Sequence, residues 1–375
     1  MSRTARTSGR SALTGSSLRG AKGQGTARRT NTPTLRAVLL GFAVAAMALA
    51  IHGGLQRLGL PINAFANLAE MHGPLMICGV FGTLISLERA VAIGLTWPYA
   101  APVCFALSAA TAVAGLMAPM AVLAVAGATV FVAASGWIAL RQRAMFTALL
   151  AVGTAMLLAG TGFWVAGATV SEVAGWWVGF LVLTIAAERL ELSRVMAPSR
   201  LGRWLFVLAA GLVAAGAALG FDNVPGRMTL GLGLVGLAAW LARHDVAMRT
   251  VRMAGQARFM AAAMLAGYGW LAVTGLALLV GLPGPFAYDL SLHAVLIGFV
   301  LSMVFGHALI IFPAITGVRL RYWPPLYVPL AMLHLSVLVR VGGDLLEMES
   351  ARMASGLLTV LSLATFGALV IIGRR

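Results

Sequence analysis

Long apolar runs, each about the length of a membrane span, fill this chain from residue 37 almost to its end. A helix that crosses a bilayer needs about 20 mostly apolar residues. By that measure the pattern predicts twelve spans, at about 37–57, 67–88, 98–118, 120–140, 145–168, 172–190, 203–220, 227–243, 258–281, 289–312, 325–342 and 352–373. Their boundaries fall at turn-forming or helix-ending groups such as Ala118-Pro119, Asp222-Asn223-Val224-Pro225-Gly226, Pro283-Gly284-Pro285 and Trp323-Pro324-Pro325. The expected fold class is all-α, a polytopic integral membrane protein with one twelve-helix domain over 37–373.

Composition agrees. The chain is 60% hydrophobic and 10% charged, with a mean hydropathy of +0.93, whereas soluble domains carry about a quarter charged residues. A two-domain soluble enzyme is thereby excluded. The net charge of +16 suggests nucleic acid at first sight, but its distribution points elsewhere. Residues 1–36 hold eight basic and no acidic residues in a Ser-, Thr- and Gly-rich context, so we expect a disordered basic tail lying against anionic lipid. It lacks the apolar centre of a signal peptide, while its basic, acid-free composition leaves a transit peptide as the alternative. If the N-terminus is cytoplasmic, only Arg57, Arg227, Arg340 and Arg352 of the 27 basic residues fall outside. That bias satisfies the positive-inside rule and would be scrambled by one missing helix. The expected setting is a bacterial-type inner (plasma) membrane, with both termini cytoplasmic, the lipid bilayer as main partner and no nucleic acid.

A weak repeat runs through the spans. The second ends Thr83-Leu84-Ile85-Ser86-Leu87-Glu88-Arg89, the sixth ends Thr184-Ile185-Ala186-Ala187-Glu188-Arg189, and the tenth ends Thr316-Gly317-Val318-Arg319. Spans four apart would match if three four-helix arcs repeat; recurrence of Glu-Arg pairs at helix ends is the alternative.

Candidate chemistry rests on histidine, because an imidazole in hydrocarbon is costly without a partner. His72 and His293 open spans two and ten at one expected depth, each just after a carboxylate, Glu70 and Asp289. Two such imidazoles can ligate a haem iron axially, with Glu70 and Asp289 as acceptors that orient the rings. His52 shares that outer leaflet, and His334 lies near the middle of span eleven. Each also admits a plain helix-to-helix hydrogen bond. His307 stands fourteen residues after His293, about 21 Å along an α-helix and on nearly the same face. It cannot share their iron, which leaves a second inner site, a proton path or a packing bond. Arg340 and Asp344, one turn apart, are expected to pair at the outer rim, where Arg340 would neutralise a propionate or simply be solvated. Trp176 and Trp177 fit an interfacial belt. Cys78 and Cys104 show neither disulfide nor zinc spacing and are expected to be small membrane-buried residues.

His72, Gly73, Leu75 and Met76 in the second of twelve spans, with His293 in the tenth, resemble subunit I of the haem-copper oxidases. Spans six and seven lack that family's copper-binding histidines. The string His293-Ala294, Gly298, Met303, Gly306-His307 and Gly317 resembles more closely the NnrS family of haem- and copper-containing membrane proteins. That resemblance implies haem b, a possible copper at His307, and nitric-oxide, denitrification or respiratory physiology with partners from those systems. A membrane oxidoreductase without an oxidase-type copper site is one expectation. A cofactor-free secondary transporter using His334, and an assembly factor for respiratory enzymes, are the alternatives.

Overall fold

The computed structural model describes residues 33–62 and 68–373, so the expected tail before Pro33 lies outside the described residues. The protein is 86% helical and contains no strands among the described residues. Twelve apolar helices follow one another: α1 (Pro33–Arg57), α2 (Leu68–Ile93), α3 (Trp97–Val113), α4 (Met117–Arg141), α5 (Met145–Val165), α6 (Val170–Leu192), α7 (Arg200–Leu219), α8 (Val224–His244), α9 (Gly255–Val280), α10 (Ala287–Thr316), α11 (Pro324–Leu345) and α12 (Glu349–Ile372). Eleven are long and apolar enough to cross a membrane, and α3 is shorter. Even so, α3 and α4 make a round trip through the bundle. Arg89, before them, pairs with Glu188, and Phe146, after them, packs under Arg194, six residues past Glu188 and just beyond the end of α6.

Local chemistry sets the ends. Helix α1 is described from Pro33, four residues before the expected span. Thr169 and Glu172 cap the start of α6 reciprocally: the Glu172 amide donates to Thr169 Oγ1 at 3.3 Å, and the Thr169 amide donates to Glu172 Oε2 at 2.6 Å. Asn223 and Ser199 cap α8 and α7 from one side only, accepting from the amides of Gly226 at 2.8 Å and Gly202 at 3.0 Å. Helices α2 and α10 stop at Gly94 and Gly317, whose φ angles of 71° and 76° favour a residue without Cβ.

Burial picks out the centre. In α6, 72% of the most apolar window is buried, and in α2 and α10 56% each, against 22% in α1 and 17% in α12. The three most enclosed helices are therefore the second, sixth and tenth. This is the spacing at which the sequence echo recurs. Trp177 belongs to this core: it is buried beneath Gly160 and packs edge-on to Trp164, 6.0 Å between ring centres. It is enclosed rather than exposed, because Gly160 on α5 leaves room for its ring.

Helices α2 and α10 share a further feature. Each runs as α-helix through its histidine and then widens into π-helix, over Leu75–Gly82 and Ala294–Leu301, before returning to α. In α2 the change follows Pro74, whose ring removes one donor and crowds the carbonyl four residues back. Helix α10 has no proline there, and nothing in its sequence explains the widening. Pi-turns inside α-helices are uncommon and concentrate at functional sites.

Candidate functional site

His72 and His293 come together across the interface of α2 and α10. Their ring centres are 6.4 Å apart and their planes differ by 15°. Each ring is anchored through Nδ1. His72 Nδ1 lies 2.6 Å from the Ala50 carbonyl of α1, and His293 Nδ1 lies 2.9 Å from the Asp289 carbonyl and 3.1 Å from Asp289 Oδ1. All these partners are acceptors, so Nδ1 of each neutral ring carries the proton and Nε2 keeps a lone pair. No described hydrogen bond engages Nε2 of either ring.

Close packing sets the His72 ring. A Cβ on Gly54 would lie 2.8 Å from His72 Cε1 and 2.9 Å from Nδ1, so α1 admits the ring only where it has no side chain. Glu70, the expected partner of His72, is exposed instead. Its place is taken by the Ala50 carbonyl, which α1 brings closer than a side chain on the same turn can reach. His52 is half-buried on α1.

Asp289 is the expected partner of His293, and it is tied down on its other side. Arg340 Nε donates to Asp289 Oδ2 at 2.8 Å and Nη2 donates to the same oxygen, while Arg352 Nη2 reaches it at 3.3 Å. Arg352 Nε also donates to Asp344 Oδ1 at 2.7 Å, and Arg340 Nε stands 3.4 Å from Asp344 Oδ2. The Arg340–Asp344 pair therefore forms, as expected one turn apart, but inside the protein rather than at a solvated rim. Both residues are buried, because α12 lays Arg352 over them. The sequence missed Arg352, which lies 63 residues from Asp289 with no periodicity to connect them.

The other histidines go elsewhere. Trp270 Nε1 donates to His334 Nδ1 at 3.0 Å, which puts the ring proton on Nε2, 3.3 Å from Ser302 Oγ. Ser302 in turn donates to the Ala263 carbonyl at 2.7 Å. With both nitrogens engaged, His334 has no lone pair left for a metal. His307 is separate from the pair, as expected, but the π-turn at Ala294–Leu301 interrupts the α spacing on which a shared face with His293 was based. His244 stacks on Trp240, 4.8 Å between centres. Cys78 is buried with Sγ 3.7 Å from Thr161 Oγ1, and Cys104 is half-buried; both are free thiols. No group of three or more His, Cys, Asp or Glu side chains among the described residues is arranged for a metal ion.

Residues 36–374 match the family model described as a domain of unknown function, DUF8744. The chain belongs to this family. No curated protein and no solved structure matches it significantly. Within this DUF8744 chain, the paired imidazoles of α2 and α10 are the arrangement with the clearest chemical capacity. Each ring keeps an Nε2 lone pair and is backed by a hydrogen-bonded Nδ1–H, which is how protein histidines are held when they ligate metal.

Proposed function

We propose that the protein is a membrane haem-binding protein of NnrS-like type, with haem b held by His72 and His293. The observation that carries this reading is the spacing of the two rings. With metal–nitrogen bonds of about 2.0–2.1 Å, and about 1.1 Å from an imidazole nitrogen to its ring centre, two rings on opposite sides of one ion sit about 6.3 Å apart. The separation here is 6.4 Å, with nearly parallel planes. A bare ion would need further protein ligands, and no group of three is present among the described residues. A porphyrin supplies four equatorial nitrogens itself and asks the protein only for the axial pair.

A bound haem would supply one-electron chemistry, in nitric-oxide or denitrification-related or respiratory physiology. The chain's own residues do the positioning. Ala50 and Asp289 fix the proton of each ring on Nδ1, Arg340 and Arg352 donate to Asp289 and hold it in place, and Gly54 leaves room for the His72 ring. On this reading the arginine-rich face is cytoplasmic in a bacterial-type inner membrane, both termini lie on that side, and the histidine pair lies toward the opposite surface. For copper the chain offers His307, which belongs to no cluster of three such ligands among the described residues. In the transporter alternative, the mid-membrane His334 would act from within its bonds to Trp270 and Ser302.

Purified protein should show a Soret band that His72→Ala and His293→Ala each abolish while the fold persists. A colourless preparation from cells supplied with haem, or a band that survives both substitutions, overturns the assignment.

A further inference from the structure

A cavity of about 150 Å³ lies at the face opposite the arginine-rich one, where α7 ends, α8 begins, α9 ends and α10 begins. It is lined by Arg227, one of the four basic residues expected on that side. Arg227 stands one turn into α8 and reaches toward the end of α9, where a Cβ on Gly281 would lie 2.8 Å from its Nη2. Among the described residues no hydrogen bond or ion pair engages Arg227, and its Nε is buried without a partner. A guanidinium carries five donors, no acceptor and a permanent charge. Near the positive end of a helix that charge is further disfavoured. The position calls for an anionic acceptor.

The other walls make the cavity amphipathic. Tyr288 rests edge-on against Phe221, 5.5 Å between ring centres, and its hydroxyl has no described hydrogen bond. Ser291 Oγ donates to the Ala287 carbonyl at 2.9 Å, which leaves its lone pairs to accept. Leu278 and Leu282 add apolar surface, and the exposed Asp222 lines the cavity from the loop before α8. The cavity is separate from the histidine pair. Between Ala287 and His293, α10 is regular α-helix, in which each residue turns by about 100°. Ala287, Tyr288 and Ser291 therefore share one side of α10, while Asp289 and His293 point to the opposite side.

We propose that this cavity binds a small monocarboxylate from the aqueous phase, with the carboxylate on Arg227 and a short apolar body against Phe221, Leu278 and Leu282. Guanidinium and carboxylate match in a planar, two-bond geometry. Size sets the upper bound, since a protein cavity of ~150 Å³ admits benzene, and a butyrate ion has the same number of heavy atoms. Asp222 sets the charge, because it repels a second negative group on the ligand and so disfavours dicarboxylates. A neutral amide of the same shape exchanges one acceptor oxygen for N–H donors, which Arg227 cannot accept.

The test uses the full chain in phosphatidylcholine nanodiscs, with butyrate, butyramide and succinate as probes. Binding of each is read from the broadening of its own carbonyl carbon-13 signal. Butyrate should bind about tenfold more tightly than butyramide or succinate. Arg227→Gln should abolish the preference over butyramide, and Asp222→Asn should narrow the margin against succinate. Ala277→Leu fills the cavity while leaving Arg227 in place and should also weaken butyrate, so the outcome does not hang on the folding of one variant. Equal binding of butyrate and butyramide, or butyrate binding unchanged in Arg227→Gln, overturns the proposal. Native mass spectrometry distinguishes a lipid source. An anionic lipid carried by the parent chain from its membrane and lost in Arg227→Gln would give the cavity to a lipid phosphate and overturn the proposal. A Soret band lost in Arg227→Gln would assign the guanidinium to a haem propionate, with the same consequence. The butyrate readout itself does not involve haem, so its failure is distinct from failure of the haem assignment.

Discussion

Replacing Asp289 tests whether the network beside His293 is a compensated set of charges. In Asp289→Ala, Arg340 loses both its 2.8 Å bond and its second contact, and retains only Asp344 Oδ2 at 3.4 Å. Arg352 loses its 3.3 Å contact but keeps Asp344 Oδ1 at 2.7 Å. One carboxylate is then left for two guanidiniums, of which Arg340 is buried. Removing one partner from a buried ion pair costs about 3–5 kcal/mol, and the partial exposure of Asp289 places this case at the low end, about 3 kcal/mol. The double variant Asp289→Ala/Arg340→Met restores a one-to-one pair between Arg352 and Asp344. It should therefore be more stable than the single variant, recovering roughly half of the loss. Thermal unfolding followed with a thiol-reactive dye in a Cys104→Ala background suits the measurement, since Cys78 is buried until the bundle opens. If the double variant is as unstable as Asp289→Ala or worse, the carboxylate does not serve to balance Arg340, and the account of the network fails.

Other variants address other parts of the structure. Gly54→Val should drive the His72 ring from its seat and cost haem retention in the purified protein, with Gly54→Ala intermediate; unchanged haem content in both would show that the ring tolerates displacement. Ser302→Ala leaves the Nε2–H of His334 unpaired and should lower stability by about 1–3 kcal/mol without changing the Soret band, whereas a lost band would return His334 to the cofactor site. Tyr268→Phe removes a hydrogen bond to the fully buried Asp245, a loss of about 1.5–3 kcal/mol. Thermal unfolding unchanged from the parent would show that Asp245 draws its support elsewhere.

The sequence was most legible where a physical requirement acts on consecutive residues. A bilayer demands unbroken apolar length, so the spans could be located to within a few residues, and even the tightly joined third and fourth emerged as separate helices. Depth could be inferred as well, because counting residues from a span's end places His72 and His293 at one level. What escaped was everything that depends on which helix lies beside which. The Ala50 carbonyl that holds His72, and Arg352 on Asp289, are partners from remote segments. Only the second has a side chain that the sequence displays, and no spacing marks it. The π-turns were equally hidden, since Pro74 hints at one and nothing hints at the other. Yet these departures from regular α-helix follow the paired histidines in both α2 and α10. A widened turn changes the face that later residues present. In α10 it separates the orientation of His293 from that of His307 and gives one helix two differently directed polar positions. The weak repeat of spans two, six and ten is thus a statement about enclosure. The helices that recur every fourth position are the ones most shielded from lipid, and two of them carry His72, His293 and Asp289, whose remaining charged partners Arg340 and Arg352 come from α11 and α12.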